Sequence, residues 1–505
     1  MKWIELKSGS DVRGTAVGEG TVLTEEVAAA LGAAFVAKLA EEKGKPAQEI
    51  TVALGRDSRI TGPALQQAAA NGIARAGAQA VVYGMCTTPA MYMSTITPGF
   101  EPDGAIMVTA SHHPWNKNGL KFFTSQGGLE GSEIGLLLEK AESLDLSAMP
   151  GNGSVIEQAF LPVYMNQLAD RIRRGLQTRE ENPLDGLHVV VDAGNGAGGF
   201  YATMLEKLGA NTEGSQFLNP DGYFPNHIPN PENADAMRSL CDAVIRAKAD
   251  LGVIFDADCD RAAIVDGSGK GINRNRLIAL ISAILLENGK KETIVTDSVT
   301  SSGLRDFIVR RGGEHYRFKR GYRNVIDEAI RLNGEGVSCP LAIETSGHAA
   351  LKENHFLDDG MYLVTVLIVK AMQLKKEGKG VGEMIADLKE PVESREIRVA
   401  IQAADFHSVG QEVIQRVMDT AKKNPEWHIA PDNREGVRIS FDLDGKEDAG
   451  WFLLRLSVHD PVLPLNVESD VTGGVQIMLR KLYGVIGEMQ GIDLSGIREA
   501  LEQET

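Results

Sequence analysis

Short apolar runs rich in β-branched residues recur along the first three quarters of the chain: TVALG, AVVYGM, GAIMVTA, LHVVVDAG, LGVIFDAD, TIVTDSV and PLAIETSG. Stretches with helical periodicity separate them, the first being a Gln/Ala-rich segment after TVALG. Buried strands alternating with helices predict βαβ units and an α/β class, with mixed, mainly parallel sheets. Polar, Gly- and Pro-rich stretches interrupt the pattern at MPGNGS near residue 150, VDGSGKG near 268 and KGVGEM before 385. Beyond the last of these, EIRVAI, GVRISFDLD and WFLLRLSV alternate with helices and predict a smaller α+β domain. The expected division is three consecutive α/β domains, 1–155, 156–265 and 266–388, followed by an α+β domain at 389–505. No short-period repeat is present, which excludes solenoids and propellers.

Composition narrows the class of partner. The chain of 505 residues carries 52 basic and 69 acidic residues, a net charge of −17, without a basic block. That distribution lacks the electrostatic footprint of a nucleic-acid or anionic-membrane binder and favours a small-molecule partner. The longest apolar run, Leu277 to Leu286, is far shorter than the ~20 residues of a membrane span, and MKWIELKSGS lacks the apolar core of a signal peptide. Cys86, Cys241, Cys259 and Cys339 are too scattered for a zinc knuckle or a disulfide framework. A soluble cytoplasmic protein, monomer or homodimer, is the expectation.

Gly194, Gly196 and Gly199 in DAGNGAGG spell G-x-G-x-x-G directly after a strand, the pattern of a dinucleotide site and hence of an oxidoreductase. The ribose-binding acid expected about 20 residues later should end a second strand, yet the acid in that region, Glu213, lies in the turn-like NTEGS. Glycines serving a tight strand-to-helix turn are the competing interpretation.

Two stretches carry stronger chemistry. In DADCDR, side chains two apart in an extended segment point the same way, so Asp256, Asp258 and Asp260 converge three carboxylates, a hard-cation site suited to Mg²⁺. An EF-hand would require glycine and glutamate where Arg261 and Gly267 stand. In TASHHPWNKNGLKFF, Ser111 follows a strand, and the polar residues after it offer backbone N–H groups to an anion. Such a serine is either a helix N-cap or, once phosphorylated, a stored phosphoryl donor whose oxygen completes a divalent-ion shell. His112 and His113, being adjacent, face different ways and do not form half of a zinc site.

Taken together these stretches resemble the α-D-phosphohexomutase superfamily. TASHHPWNKNGLK is similar to its T-A-S-H-N-P…N-G-x-K active-site loop and DADCDR to its D-G-D-G-D-R metal loop. SDVRG, GRDSR, VVVDAGNGAGG, NPDGYFPNHIPNPE and ETSGH followed by DDG resemble further family motifs in the same order, from about residue 11 to about 470. The resemblance implies domains around a central cleft and Ser111 as the phosphorylated nucleophile. It implies Mg²⁺ bound by Asp256, Asp258, Asp260 and a phosphoserine oxygen, with Arg261, Arg13 and Arg56 supplying positive charge around the phosphoryl group. Lys121, His112 and His348 become the general acid/base candidates. Lys121 is preferred because the metal and arginines would depress its pKa; alternatively it balances the phosphoserine charge. Glu344 and Ser346 would hold the sugar O3 and O4, Lys319 would also contact the sugar, and Asp358 and Asp359 are expected as helix N-caps.

The match fails in part at the substrate's own phosphate. The family loop R-x-S-[GN]-T-x-P corresponds to RLSVHDP, where Arg455, Ser457 and Pro461 keep the spacing, Val458, His459 and Asp460 replace the middle, and Asn466 stands where the family has an arginine. His459 is the candidate replacement donor. His113 stands at a usual asparagine, and Ala257 and Cys259 replace glycines, tolerable if both keep φ below zero. The implied activity is interconversion of hexose 1-phosphate and hexose 6-phosphate, glucose or mannose, through a 1,6-bisphosphate that also serves as activator. Phosphoglucosamine mutase, or a relative acting as bisphosphate synthase or sugar-phosphate sensor, are the alternatives, with the dinucleotide oxidoreductase more remote.

Overall fold

The computed structural model describes residues 2–149, 151–457 and 460–502, and the chain forms two compact units. One comprises the residues up to Leu277 together with Ser346–Glu383; the other comprises Ile278–Thr345 and the residues from Met384 onward.

The first unit contains two sheets. In the larger, parallel strands Gly104–Val108, Thr51–Arg56, Gln79–Met85 and Ser154–Glu157 lie side by side, and antiparallel Lys117–Thr124 and Asp11–Thr15 extend it beyond Gly104–Val108. Every residue of Gly104–Val108 is buried, as expected of a central strand covered on both faces, and this is why GAIMV reads as an unbroken apolar run. Helices Glu25–Lys43 and Gly62–Arg75 cross very closely. A Cβ on Gly72 would lie 1.8 Å from the Ala29 carbonyl oxygen, and one on Gly32 would lie 2.4 Å from that of Ala69. The smaller sheet runs Val189–Asp192, Leu251–Phe255, Ala262–Asp266, Gly271–Ile272, with its first ladder parallel and the others antiparallel. Asp256–Arg261 is therefore the connection of a hairpin.

That smaller sheet decides the glycine motif. Gly194 has φ +53, while a Cβ on Gly196 would lie 2.7 Å from the Ala257 backbone and one on Gly199 2.1 Å from the Leu218 carbonyl oxygen. The close backbone approach that a pyrophosphate would need is occupied by the protein's own chain. Glu213 lies in a turn, where its carbonyl oxygen meets His188 Nε2. The glycines serve packing, and the dinucleotide interpretation falls.

In the second unit, Glu314–Arg317, Thr293–Thr296 and Leu341–Ile343 form a parallel sheet in that order, accompanied by helices Ser302–Arg310 and Tyr322–Gly334. The C-terminal sheet is antiparallel throughout, in the order His428–Ile429, Val437–Leu443, Lys446–Leu454, Val462–Ser469, Glu393–Ile401, Ile492–Asp493. Helices Phe406–Lys423, Gly474–Ile486 and Ser495–Glu502 close its core, which includes Val399, Phe441, Phe452, Leu465 and Met478. The fold is thus α/β with mixed sheets and a C-terminal sheet domain. No described helix is long and apolar enough to cross a membrane, and no disulfide joins the described cysteines.

Candidate active site

Ser111 sits three residues beyond the Gly104–Val108 strand, 3 % exposed, in the left-handed region at φ +50. A turn and then the strand Lys117–Thr124 follow it, so the helix N-cap alternative does not hold. A β-carbon residue in this conformation must be held there by its surroundings. The holder is Arg59, wholly buried, whose guanidinium donates to the carbonyl oxygens of Ser111 (2.5 Å), His113 (2.6 Å), Pro114 (2.8 Å) and Lys117 (2.8 Å). Arg59 Nε lies 3.3 Å from Asp57 Oδ2. Asp57 also accepts from Thr109 Oγ1 (2.7 Å), which in turn accepts the Ser111 N–H (2.9 Å). Burial pushes the Asp57 carboxyl up to about 6 although Arg59 opposes it.

The hydroxyl of Ser111 donates to Asp256 Oδ2 at 2.8 Å and accepts from Arg261 at 2.9 Å. Asp256, Asp258 and Asp260 are buried, with ligand oxygens within 4.8 Å of one another. They converge because DADCDR is a hairpin turn, which replaces the period-two argument from the sequence. Cys259 takes φ +66 to make that turn, contrary to the expectation of a negative φ, whereas Ala257 conforms. Its thiol faces the Asp256 carbonyl oxygen at 3.6 Å.

The electrostatics of the cluster are divided. Burial, then repulsion from Asp260 and Asp258, holds Asp256 well above the usual carboxylate range. Burial works the same way on Asp258 and Asp260, joined at Asp258 by repulsion from Asp260, but the opposing attractions together outweigh it and both are held low: Lys121 and Thr88 at Asp258, and Lys121, His348 and Arg261 at Asp260. Lys121 Nζ lies 2.5 Å from Asp260 Oδ2 and 3.1 Å from Asp258 Oδ2. Thr88 donates its hydroxyl to Asp258 Oδ2 at 2.6 Å. The other oxygens of Asp258 and Asp260 are buried without a hydrogen-bond partner among the described residues. Orphaned carboxylate oxygens aimed at one point, all of them hard donors, fit a divalent cation.

His112 Nδ1 faces Arg261 and the Ser111 hydroxyl, and burial together with Arg261 pushes its pKa down to about 2. His113 stacks on His112 with ring centroids 4.9 Å apart, and burial takes it down to about 4. His348 forms an isolated bridge with Arg261, and its Nδ1 lies 2.5 Å from Asp358 and 4.0 Å from Asp260. Burial opposes the charge on His348, but Asp358 and Asp260 raise it to about 9. Asp359 caps the helix Gly360–Lys376 as expected, accepting from Tyr362 N, whereas Asp358 instead holds His348 and the Ala349 amide. Arg13 pairs with Asp11 at 2.7 Å and feels Asp258 and Asp260; Arg56 reaches the Asp57 carbonyl oxygen at 3.1 Å. Ser346 is buried in this unit.

Lys319, Glu344, Arg455 and Ser457 belong to the second unit. Glu344 Oε1 accepts the Gly321 amide at 2.6 Å. Arg455 is half-buried; burial lowers its pKa although Glu435 opposes this. The Ser457 hydroxyl accepts the Asp460 amide at 3.2 Å, and Asn466 lies opposite Glu396 on the neighbouring strand. Val458 and His459 lie outside the described residues. Sequence reasoning missed Asp57, Arg59 and Thr88. GRDSR contains the first two, but a carbonyl clamp on a loop more than fifty residues away has no local signature.

The models of phosphoglucomutase/phosphomannomutase α/β/α domains I, II and III match residues 5–140, 162–269 and 273–392. A phosphoglucomutase of Neisseria meningitidis is 30 % identical over 94 % of this chain and 95 % of its own length. A phosphomannomutase/phosphoglucomutase of Pseudomonas aeruginosa is 30 % identical over 91 % and 90 %. Among solved structures, a phosphoglucomutase/phosphomannomutase family protein of Burkholderia thailandensis matches 97 % of this chain and all of its own, at 26 % identity and a TM-score of 0.79. The chain belongs to the phosphoglucomutase/phosphomannomutase family and is a phosphohexomutase.

Proposed function

We propose that the enzyme interconverts the 1- and 6-phosphates of glucose, mannose or both through a phosphorylated Ser111 and a hexose 1,6-bisphosphate. The observation that carries this is the Ser111 hydroxyl hydrogen-bonded at once to Asp256 and Arg261 beside the three-carboxylate cluster. The names of the relatives support the two hexoses.

Asp256, Asp258, Asp260 and an oxygen of the phosphorylated serine would hold Mg²⁺, which when bound supplies positive charge to the transferring phosphoryl group. In the forward half-reaction a free sugar hydroxyl attacks phosphorus, the Ser111 Oγ–P bond breaks, and a sugar O–P bond forms. Arg261 donates to the departing Oγ, while Arg13 and Arg56 add positive charge around the phosphoryl group. The hydroxyl proton passes to Lys121 by preference, with His112 and His348 the other acid/base groups. The bisphosphate turns over and returns its other phosphate to Ser111. Glu344 and Ser346 would take the sugar O3 and O4, and Lys319 a further sugar contact. Arg455, Ser457 and His459 would take the distal phosphate. The four-domain division at 155, 265 and 388 belongs to the same proposal.

The test is ³¹P NMR of the protein with Mg²⁺, a trace of glucose 1,6-bisphosphate, and glucose, mannose or glucosamine 1-phosphate supplied separately. Growth of a 6-phosphate signal that is lost in Ser111→Ala supports the mechanism. Full activity in Ser111→Ala overturns it, and glucosamine as the fastest substrate reassigns the hexose.

A further inference from the structure

In the second unit, the segment carrying Lys319 is fixed through its backbone at two successive positions. Glu435 Oε2 accepts the Arg320 amide at 3.2 Å, and Glu344 Oε1 accepts the Gly321 amide at 2.6 Å. Between these bonds the chain takes φ +119 at Gly321, a conformation L side chains rarely adopt, and a Cβ there would lie 2.9 Å from Asn324 Nδ2. Glu344 stands at the end of strand Leu341–Ile343, whereas Glu435 belongs to the loop that precedes strand Val437–Leu443 of the C-terminal sheet.

That loop is itself firmly attached. The same Glu435 oxygen accepts the Ser298 hydroxyl. Arg317 donates to Asp432 at 2.6 Å, and Arg434 donates to the Arg317 carbonyl oxygen at 3.0 Å while lying over the Tyr316 ring. Arg438, buried and stacked 3.5 Å over Trp451, donates to the Ser298 carbonyl oxygen at 2.9 Å. The attachment spans residues 432–438 on one side and 298–320 on the other. Arg455, on the same C-terminal sheet, feels Glu435, Arg320 and Asp297 electrostatically.

We infer that Glu435 is a positioning residue for hexose recognition: through one carboxylate oxygen it ties the C-terminal sheet, which carries Arg455 and Ser457, to the backbone that presents Lys319. This rests on the proposed sugar-contact role of Lys319 and Glu344. The carboxylate acts as an acceptor at a backbone amide, not as a charge toward substrate. The Glu435–Arg320 bond is part-buried, and a hydrogen bond to a charged group matters at the level of about tenfold in an equilibrium.

Three variants are compared in the mutase assay: Glu435→Ala, Glu435→Gln and Lys319→Ala, with the double variant Glu435→Ala/Lys319→Ala. Glu435→Ala is expected to raise KM for the hexose 1-phosphate and the hexose 6-phosphate about tenfold with a much smaller change in kcat. Glu435→Gln retains a carbonyl oxygen able to accept both bonds and is expected to recover most of the KM. The double variant is expected to resemble Lys319→Ala alone, because both changes disable the same contact. Fully additive effects, or a KM for Glu435→Ala equal to wild type while Lys319→Ala is impaired, overturn the coupling. No KM change in Lys319→Ala overturns instead the sugar-contact role beneath it. If Glu435→Ala does not fold, Ser298→Ala, expected to raise KM less than Lys319→Ala does, provides the comparison, and an unaltered KM there overturns the proposal.

Discussion

Removing Arg59 tests whether the geometry of Ser111, the proposed nucleophile, is imposed from outside its own loop. Arg59→Met deletes four donated hydrogen bonds to the carbonyl oxygens of Ser111, His113, Pro114 and Lys117 and leaves Asp57 buried without its cation. Both partners of the ion pair are fully buried, so solvent does not compensate. Breaking a buried pair by removing one member typically costs about 3–5 kcal/mol. Protonation of Asp57, already pushed up to about 6, relieves part of that cost, and the four carbonyl oxygens left without their donors add to it. Loss of the left-handed conformation at Ser111 moves the hydroxyl away from Asp256 and Arg261, and a displacement of about 1 Å costs on the order of 100-fold in rate. Arg59→Lys keeps the charge but has three donors in place of a planar fork, and is expected to fall between the two. Urea unfolding followed by far-UV circular dichroism reads the stability, and single-turnover phosphoryl transfer reads the rate. Arg59→Met with wild-type kcat and an unchanged urea midpoint would refute the reasoning.

The three-carboxylate cluster predicts a pH-linked cation site: because burial and its neighbours hold Asp256 above the carboxylate range, adding MgCl₂ should release protons and raise the melting temperature, more strongly at higher pH. Asp258→Asn should abolish both responses, and a melting temperature insensitive to Mg²⁺ in the wild type would refute this. Asp359, raised from 3.8 to about 7 by burial, binds its proton more tightly folded than unfolded, so it favours the fold at low pH and this contribution is lost as pH rises from about 4 to about 7. At 1.36 kcal/mol per pH unit the span is worth up to about 4 kcal/mol. Asp359→Asn, which keeps an acceptor for the Tyr362 amide, should gain stability relative to wild type across that window; a difference constant with pH would count against it.

The site was legible where chemistry is local. DADCDR announced a cation site because three carboxylates in five residues have few other uses, and the structure brings them within 4.8 Å, although a hairpin turn with Cys259 in the left-handed region does this, not an extended strand. Asp358 and Asp359 looked like a pair of caps, yet they divide: Asp359 caps its helix and Asp358 turns to His348. Nothing in the residue types separates them, since the choice depends on which of the two carboxylates the chain's return past His348 and Ala349 meets. The glycine motif erred in the opposite direction. Its spacing suited a dinucleotide, but its close approaches are filled by Ala257 and Leu218.

The sequence by itself determined the alternation of buried strands and helices, the change to a smaller α+β domain at the C-terminal end and the residue types of the proposed phosphoryl chemistry, because strand burial, turn propensity and carboxylate density are properties of a few consecutive residues. Only the tertiary structure decided that Arg59 clamps the Ser111 loop across 52 residues of sequence, that Thr88 orients Asp258 across 170, and that Glu435 reaches the Lys319 segment across 115. A hydrogen bond depends on where two atoms meet, and for groups so far apart along the chain the packing of the sheets fixes that meeting place.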